Sequence, residues 1–140
     1  MTRKTFTKIG MFIGLVVFMP TAMSHHSFIA QYDPEQPVTL TGVVTKIDWM
    51  NPHVYFYIDV KDPTTGTIEN WGIEMGPPHM LQKRGWKRNS MQIGDVIEIE
   101  GARARNGSTN ANARKVTMTA TGIVLGTASS GQTITSGKSD

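Results

Sequence analysis

Apolar and polar residues alternate with period two through most of this chain, which marks it as β-rich. Residues 38–49 are rich in Val, Thr and Ile, but the apolar phase slips: Val38 and Leu40 share one face, Val43, Ile47 and Trp49 the other. Gly42 sits between the two sets and predicts a bulge or bend that re-aims a long strand. Asn51-Pro52 then breaks the chain. In the next strand Val54, Phe56, Ile58 and Val60 face one way, and Tyr55, Tyr57, Asp59 and Lys61 the other. Asp62-Pro63-Thr64-Thr65-Gly66 has the residues of a hairpin turn, with Pro presetting φ and Gly allowing positive φ. A third strand carries Trp71, Ile73 and Met75 on one face.

Gly76-Pro77-Pro78 stops that strand, and residues 78–86 predict a short helix with Pro in its first turn and Met80 and Leu81 on its apolar face. Gly94-Asp95 opens a fourth strand in which Ile97 and Ile99 alternate with Glu98 and Glu100. Residues 103–114 read as a polar loop containing Asn106-Gly107. A fifth strand follows over 115–125, with Val116, Met118 and Ala120 on one face. Three strands, a short helix and two more strands, with a glycine-bent first strand, is the order of a small five-stranded Greek-key barrel of OB type.

The first 24 residues stand apart from this pattern. Arg3, Lys4 and Lys8 precede an apolar run from Ile9 to Met19, followed by Pro20 and Ala22-Met23-Ser24. That is the anatomy of a secretory signal peptide, too short in its apolar run for a lasting membrane anchor. Residues 1–24 are therefore expected to be removed, residues 25–126 to form the barrel, and residues 127–140, nearly all small or polar, to form a flexible tail. The destination is exported, periplasmic or secreted. About 116 residues remain, enough for one small domain.

Cleavage changes the charge argument. The leader holds three of the 14 Lys and Arg residues and none of the 11 Asp and Glu residues, so 11 basic residues balance 11 acidic ones in the remainder. The sequence pI near 9.3 thus belongs to the leader. A body without basic excess is a poor match for phosphate backbones, so nucleic acid is not an expected partner. There is no cysteine. Disulfides, thiolate metal sites and thiol nucleophiles are excluded.

His25-His26-Ser27-Phe28, Pro37-Val38-Thr39-Leu40-Thr41-Gly42, Trp49 with Asn51-Pro52-His53, Arg84-Gly85-Trp86 and Gly94-Asp95 together resemble a family of small exported bacterial proteins of unknown function. The resemblance spans roughly residues 25–125. It implies an exported, OB-like barrel and brings no activity, ligand or catalytic residue.

Two sets of residues carry candidate chemistry. Tyr55 and Tyr57 occupy the polar face of the second strand, and that region is the usual binding face of OB-folds. With Arg103 and Arg105 nearby, they are the expected ligand-binding residues for a small molecule, glycan or protein partner. Alternatively, cleavage after Ser24 makes His25 the first residue, so that its amine and imidazole, with His26 and His53, form a nitrogen-rich set favouring Cu(II). Met50, Met75 and Met80 could add soft ligands. Copper is the only cofactor these residues imply.

Each set has a plainer reading. His25 and His26 can belong to a frayed arm, and His53 can bond a turn carbonyl. The methionines can fill core gaps, the tyrosines can cover a rim, and the arginines can be solvated. The acidic residues show no spacing that demands acid–base partnership, and no GxSxG, HExxH or phosphate-cradling motif occurs. Haem binding lacks a histidine after His79. A binding or accessory module is expected, with no catalysis of its own. An enzyme would require His53 to meet a carboxylate such as Asp48.

Overall fold

The computed structural model describes residues 25–129, with side chains from Phe28 onward. The expected leader and residues 130–140 lie outside the described residues, as do the side chains of His25, His26 and Ser27. The elements are α1 (His25–Gln31), β1 (Tyr32–Asp48), β2 (Tyr55–Lys61), β3 (Ile68–Glu74), α2 (Pro78–Lys83), β4 (Val96–Ala104), β5 (Asn110–Met118) and β6 (Ile123–Gly126).

The protein is mainly β, with six strands in one sheet and two short helices. β1 pairs antiparallel with β2 and with β4, β2 with β3, and β4 with β5. β3 also runs parallel to β5 through Gly72–Asn110, Ile73–Ala111 and Glu74–Asn112. The pairings therefore form a circuit, β1–β2–β3–β5–β4–β1, with β6 added to the far half of β5.

β1 is long because it serves two partners. Residues 32–43 pair with β4, and residues 43–48 pair with β2. Gly42 lies where the partners change, and a Cβ there would sit 2.6 Å from the Asp59 carbonyl oxygen. The phase slip itself comes later than the sequence predicts, at the irregularity between Val44 and Lys46. Val44 is consequently buried and Val43 exposed, the reverse of the expected placement. A second irregularity between Asp33 and Pro37 absorbs Pro34, and pairing resumes at Pro37 opposite Ala102. Prolines are tolerated at such points because the ladder is already interrupted.

β2 follows its alternation, with Val54 just before it, and Phe56 and Ile58 within it, fully buried. In the turn to β3, the Thr64 and Thr65 amides donate to Asp62 Oδ1, and Gly66 takes φ 73°. Helix α2 ends before Gly85 (φ 91°), so Trp86 lies beyond it, buried and donating its indole N–H to the Gly126 carbonyl at 3.0 Å.

The five-strand count needs correction at the C-terminal end. Residues 103–114 are largely strand, turning at Asn106-Gly107, because Ala102, Ala104, Ala111 and Ala113 supply the buried positions. Alanine carries little apolar signal, so the arginines and asparagines between them made the segment look like a loop. The expected fifth strand divides into β5 and β6 at a turn closed by Gly122 N–H to the Met118 carbonyl, with Gly122 at φ 71°. Ala120 lies exposed in that turn, off any strand face. Thr127 and Ser129, expected in the tail, are buried with their hydroxyls on the Ala113 carbonyl.

The main core gathers Val44, Phe56, Ile58, Ile73, Ile97, Ile99 and Val116 with Trp71, Leu81 and Trp86. A separate cluster of Phe28, Tyr32, Ala102 and Ala104 ties α1 and the start of β1 to the sheet. Its position follows from register. Tyr55, Glu74, Asn112 and Ala102 are successive partners across β2, β3, β5 and β4. Their neighbours Phe56, Ile73 and Ala111 point into the core, so this row points to the opposite face. Phe28 and Tyr32 cover it.

Candidate functional site

That covered row contains an acid within an otherwise buried run. Glu74 is only 5% exposed. A carboxylate there must be hydrogen-bonded to remain. Tyr32 donates its hydroxyl to Glu74 Oε2 at 2.6 Å, and His53 Nδ1 lies 2.7 Å from Oε1. Tyr55, the cross-strand partner of Glu74, lies beside the same carboxylate, which helps to hold its phenol protonated. Two donors from separate segments, Tyr32 and His53, thus converge on one side chain, with the Tyr55 phenol beside them.

The phenols are held protonated. Burial is the larger cause for Tyr32, followed by its hydrogen bond to Glu74, and together they push it far above the ordinary phenol range. Burial and then Glu74 likewise raise Tyr55. Glu74 fixes the imidazole in turn: with Nδ1 donating to the carboxylate, Nε2 is the ring nitrogen left for other partners. Nothing among the described residues hydrogen-bonds it. His53 follows the cis Asn51-Pro52 peptide, and its side chain is 36% exposed.

Arg105 closes the other side. Its Nε donates to the Ile29 carbonyl at 2.6 Å, its backbone N–H to the Gln31 carbonyl at 2.9 Å, and its Nη2 lies 3.3 Å from Asp33 Oδ1. The end of α1 is thereby pinned to the β4–β5 turn. Between them opens a cleft of about 640 Å³ lined by Tyr32, Tyr55, Arg105, Asn106, Ser108 and Asn110. Its polar wall is ordered internally. Asn110 Nδ2 donates to Ser108 Oγ at 2.9 Å, and Ser108 Oγ donates to Asn106 Oδ1 at 2.7 Å. Gly72, beside Asn110 across the parallel pairing, leaves room for that side chain, since a Cβ would collide with Asn110 Oδ1.

Of the residues expected to bind ligand, Tyr55 and Arg105 meet in this cleft. Tyr57 lies on the same face of β2 but outside the cleft lining, with the Lys46 ammonium 5.0 Å from its ring centroid. Arg103 also lies elsewhere: its guanidinium sits 5.3 Å from the Trp71 ring centroid and donates through Nη2 to the Gly107 carbonyl. Arg103 caps the core, while Arg105, two residues on, faces α1.

Among the expected metal ligands, His53 is engaged by Glu74, and the side chains of His25 and His26 lie outside the described residues. Met75 is a core residue, and Met50 is exposed. Among the described residues, no group of three or more His, Cys, Asp or Glu side chains could hold a metal ion. Asp48 is paired with Lys46 at 2.6 Å, so the carboxylate that meets His53 is Glu74.

Tyr32, Glu74, Asn106, Ser108 and Asn110 were missed from the sequence. Only Glu74 left a signal there, a lone acid between Ile73 and Met75 in an otherwise apolar stretch. A second groove of about 490 Å³, between residues 87–92 and 118–125, contains none of the expected site residues.

Fold and site together define a small β protein whose N-terminal helix and first strand close one face of the sheet over a tyrosine–carboxylate–histidine cluster. Residues 14–113 match the family of unknown function DUF6152, and the chain belongs to that family. A search of curated proteins finds no match. Among the described residues, no helix is long and apolar enough to cross a membrane.

Proposed function

We propose that this chain is an exported binding module, built on an OB-type Greek-key barrel with an added sixth strand, that takes a small polar ligand in the Tyr55–Arg105 cleft. The strand circuit with its parallel β3–β5 contact supports the barrel reading. The positively charged, apolar and small-residue segments of residues 1–24 support export. The cleft carries the functional reading: an aromatic residue from β2 and an ordered set of polar side chains from the β4–β5 turn share one open cavity. Pre-organised polar groups that fix orientation are what small-ligand sites need.

The test is a heteronuclear NMR titration of the processed protein against a library of small polar molecules. Shift changes are expected to gather on Tyr55, Arg105, Asn106 and Ser108. Changes gathering along residues 118–125 instead, or a library without a hit, would overturn this reading.

The His53–Glu74 hydrogen bond favours a second reading, Cu(II) held by His25 and His53. A carboxylate on one imidazole nitrogen orients the other toward a metal and raises its basicity. A Cu(II) titration should then show one tight site, lost when one residue is added before His25 and lost again in His53→Ala. Full affinity in either variant would remove copper from consideration.

A further inference from the structure

Resting on the cleft as the binding site, we infer that its ligand is a neutral, polyhydroxylated molecule of the sugar class. Charge is the first argument. Among the described residues Arg105 is the only lining side chain charged at neutral pH; Asp33 lies beside its guanidinium and its Nε–H is taken by the Ile29 carbonyl. An anion would reach its remaining N–H groups only beside the Asp33 carboxylate, which already offsets its charge. A cation finds no carboxylate among the described lining residues, and both oxygens of the nearby Glu74 already accept from Tyr32 and His53.

The chemistry of the wall is the second argument. Apart from Arg105, its polar groups are amides and hydroxyls, and the Asn110–Ser108–Asn106 chain fixes which atoms remain available. With Asn106 Oδ1 accepting from Ser108, the Asn106 Nδ2 hydrogens are left as donors. Gln31 adds an exposed amide that can donate or accept. Such a wall suits hydroxyls, each of which donates once and accepts twice.

The apolar surface is the third. Beyond the Tyr55 ring and the nearly buried Tyr32, the described lining offers only the methyl groups of Ala30 and Ala104. A flat heterocycle or a lipid tail would leave most of its apolar surface in water. A pyranose needs one rigid aromatic face for its C–H groups, and Tyr55 stands on β2, paired with Glu74 in the β2–β3 ladder. At about 640 Å³ the cleft is in the range of small-ligand sites, roughly 300–1,000 Å³.

The experiment is an NMR titration of the processed protein with gluco-, galacto-, manno- and N-acetylglucosamine-configured disaccharides at millimolar concentration. Acetate, inorganic phosphate and adenosine are run in parallel. At least one disaccharide is expected to shift Tyr55, Asn106 and Ser108, and the three controls to leave them unmoved. The double variant Asn106→Ala/Ser108→Ala should weaken that disaccharide about tenfold or more, consistent with the loss of one or two hydrogen bonds. Tyr55→Phe keeps the ring and should cost less than about threefold if stacking, rather than the hydroxyl, meets the sugar.

Shifts in the cleft with phosphate, acetate or adenosine but with no disaccharide would sink the sugar class and leave the cleft as a binding site. Silence from every probe overturns the sugar class. Disaccharide shifts that map outside the cleft overturn both readings.

Discussion

Replacing Glu74 with Gln isolates what the carboxylate does, since the side chain keeps its size and loses its charge. In the native protein Oε1 and Oε2 receive His53 Nδ1–H and the Tyr32 hydroxyl. A glutamine retains one acceptor oxygen, while its NH₂ faces a group that is itself a donor. Hydrogen bonds to a charged partner contribute about 1.5–3 kcal/mol each. Tyrosine can recover part of the loss by rotating its hydroxyl to accept. The net cost is therefore about 2–4 kcal/mol, taken from a total stability of about 5–15 kcal/mol for a domain of this size. For roughly 100 residues, each kcal/mol moves Tm by about 4–8 °C, so a fall of about 10–25 °C is expected. Calorimetry and urea titration measure it. Tyr32→Phe, which removes one donor, should cost about 1–2 kcal/mol. Because both substitutions break the same bond, the double variant should lose less than the sum by at least about 0.5 kcal/mol. A Glu74→Gln protein within about 0.5 kcal/mol of wild type, or a strictly additive cycle, would refute the claim that this carboxylate holds the N-terminal segment down.

Alkaline pH probes the same cluster from the phenol side. Tyr32 is raised by burial and by Glu74, so its contribution is fully present below the ordinary phenol value of about 10 and is lost as pH rises above it, by up to ~1.4 kcal/mol per pH unit. Stability measured from pH 9 to 11.5 should fall more steeply in wild type than in Tyr32→Phe, and parallel curves would contradict the assignment. Gly42→Ala pushes a methyl toward the Asp59 carbonyl and should destabilise by about 1–3 kcal/mol in denaturant titration, whereas a neutral effect would mean that the β1 crossover can relax. Thr127→Val removes one of two hydroxyls on the Ala113 carbonyl and should cost about 1 kcal/mol in the same assay. No change would show that Ser129 suffices alone.

How much of this was legible in the sequence depends on which signals are local. The faces of β2, the Asp62 turn and the position of α2 followed from alternation, proline and glycine, each of which acts within a few residues. β1 was harder because its phase slip arises at a bulge opposite β2, three residues beyond the glycine that looked responsible. The strand residues within 103–114 were hidden because alanine fills their inward positions. For the site, exposed polarity located Tyr55 and Arg105. It could not separate Arg103 from Arg105, because only the packed chain shows that one lies against Trp71 and the other against α1. Tyr32 lay in a proline-broken stretch with no alternation to place it, and His53 found a carboxylate that was not the one nearest in sequence.

The cleft also depends on parts of the chain that fold at very different ranges. The turn from Asn106 to Asn110 is local and bonded within itself. The Tyr32–Glu74 bond spans 42 residues, and the Arg105–Ile29 bond spans 76. Contacts so far apart in sequence must overcome loop-closure entropy before they contribute, so they rely on a sheet that is already assembled. The core cluster of β1 to β5 can form without α1, since Phe28 and Tyr32 belong to a separate and smaller cluster. The N-terminal segment is thus a separate layer over the outer face, held by the pairings of Tyr32 with Ala104 and Asp33 with Arg103 and by the bonds of Tyr32 to Glu74 and of Arg105 to Ile29, Gln31 and Asp33. One wall of the cleft is therefore conditional on that layer staying closed, whereas the Tyr55 and Asn106 wall belongs to the sheet itself. On the proposed binding role, ligand affinity should accordingly track the stability of this N-terminal layer more closely than that of the core.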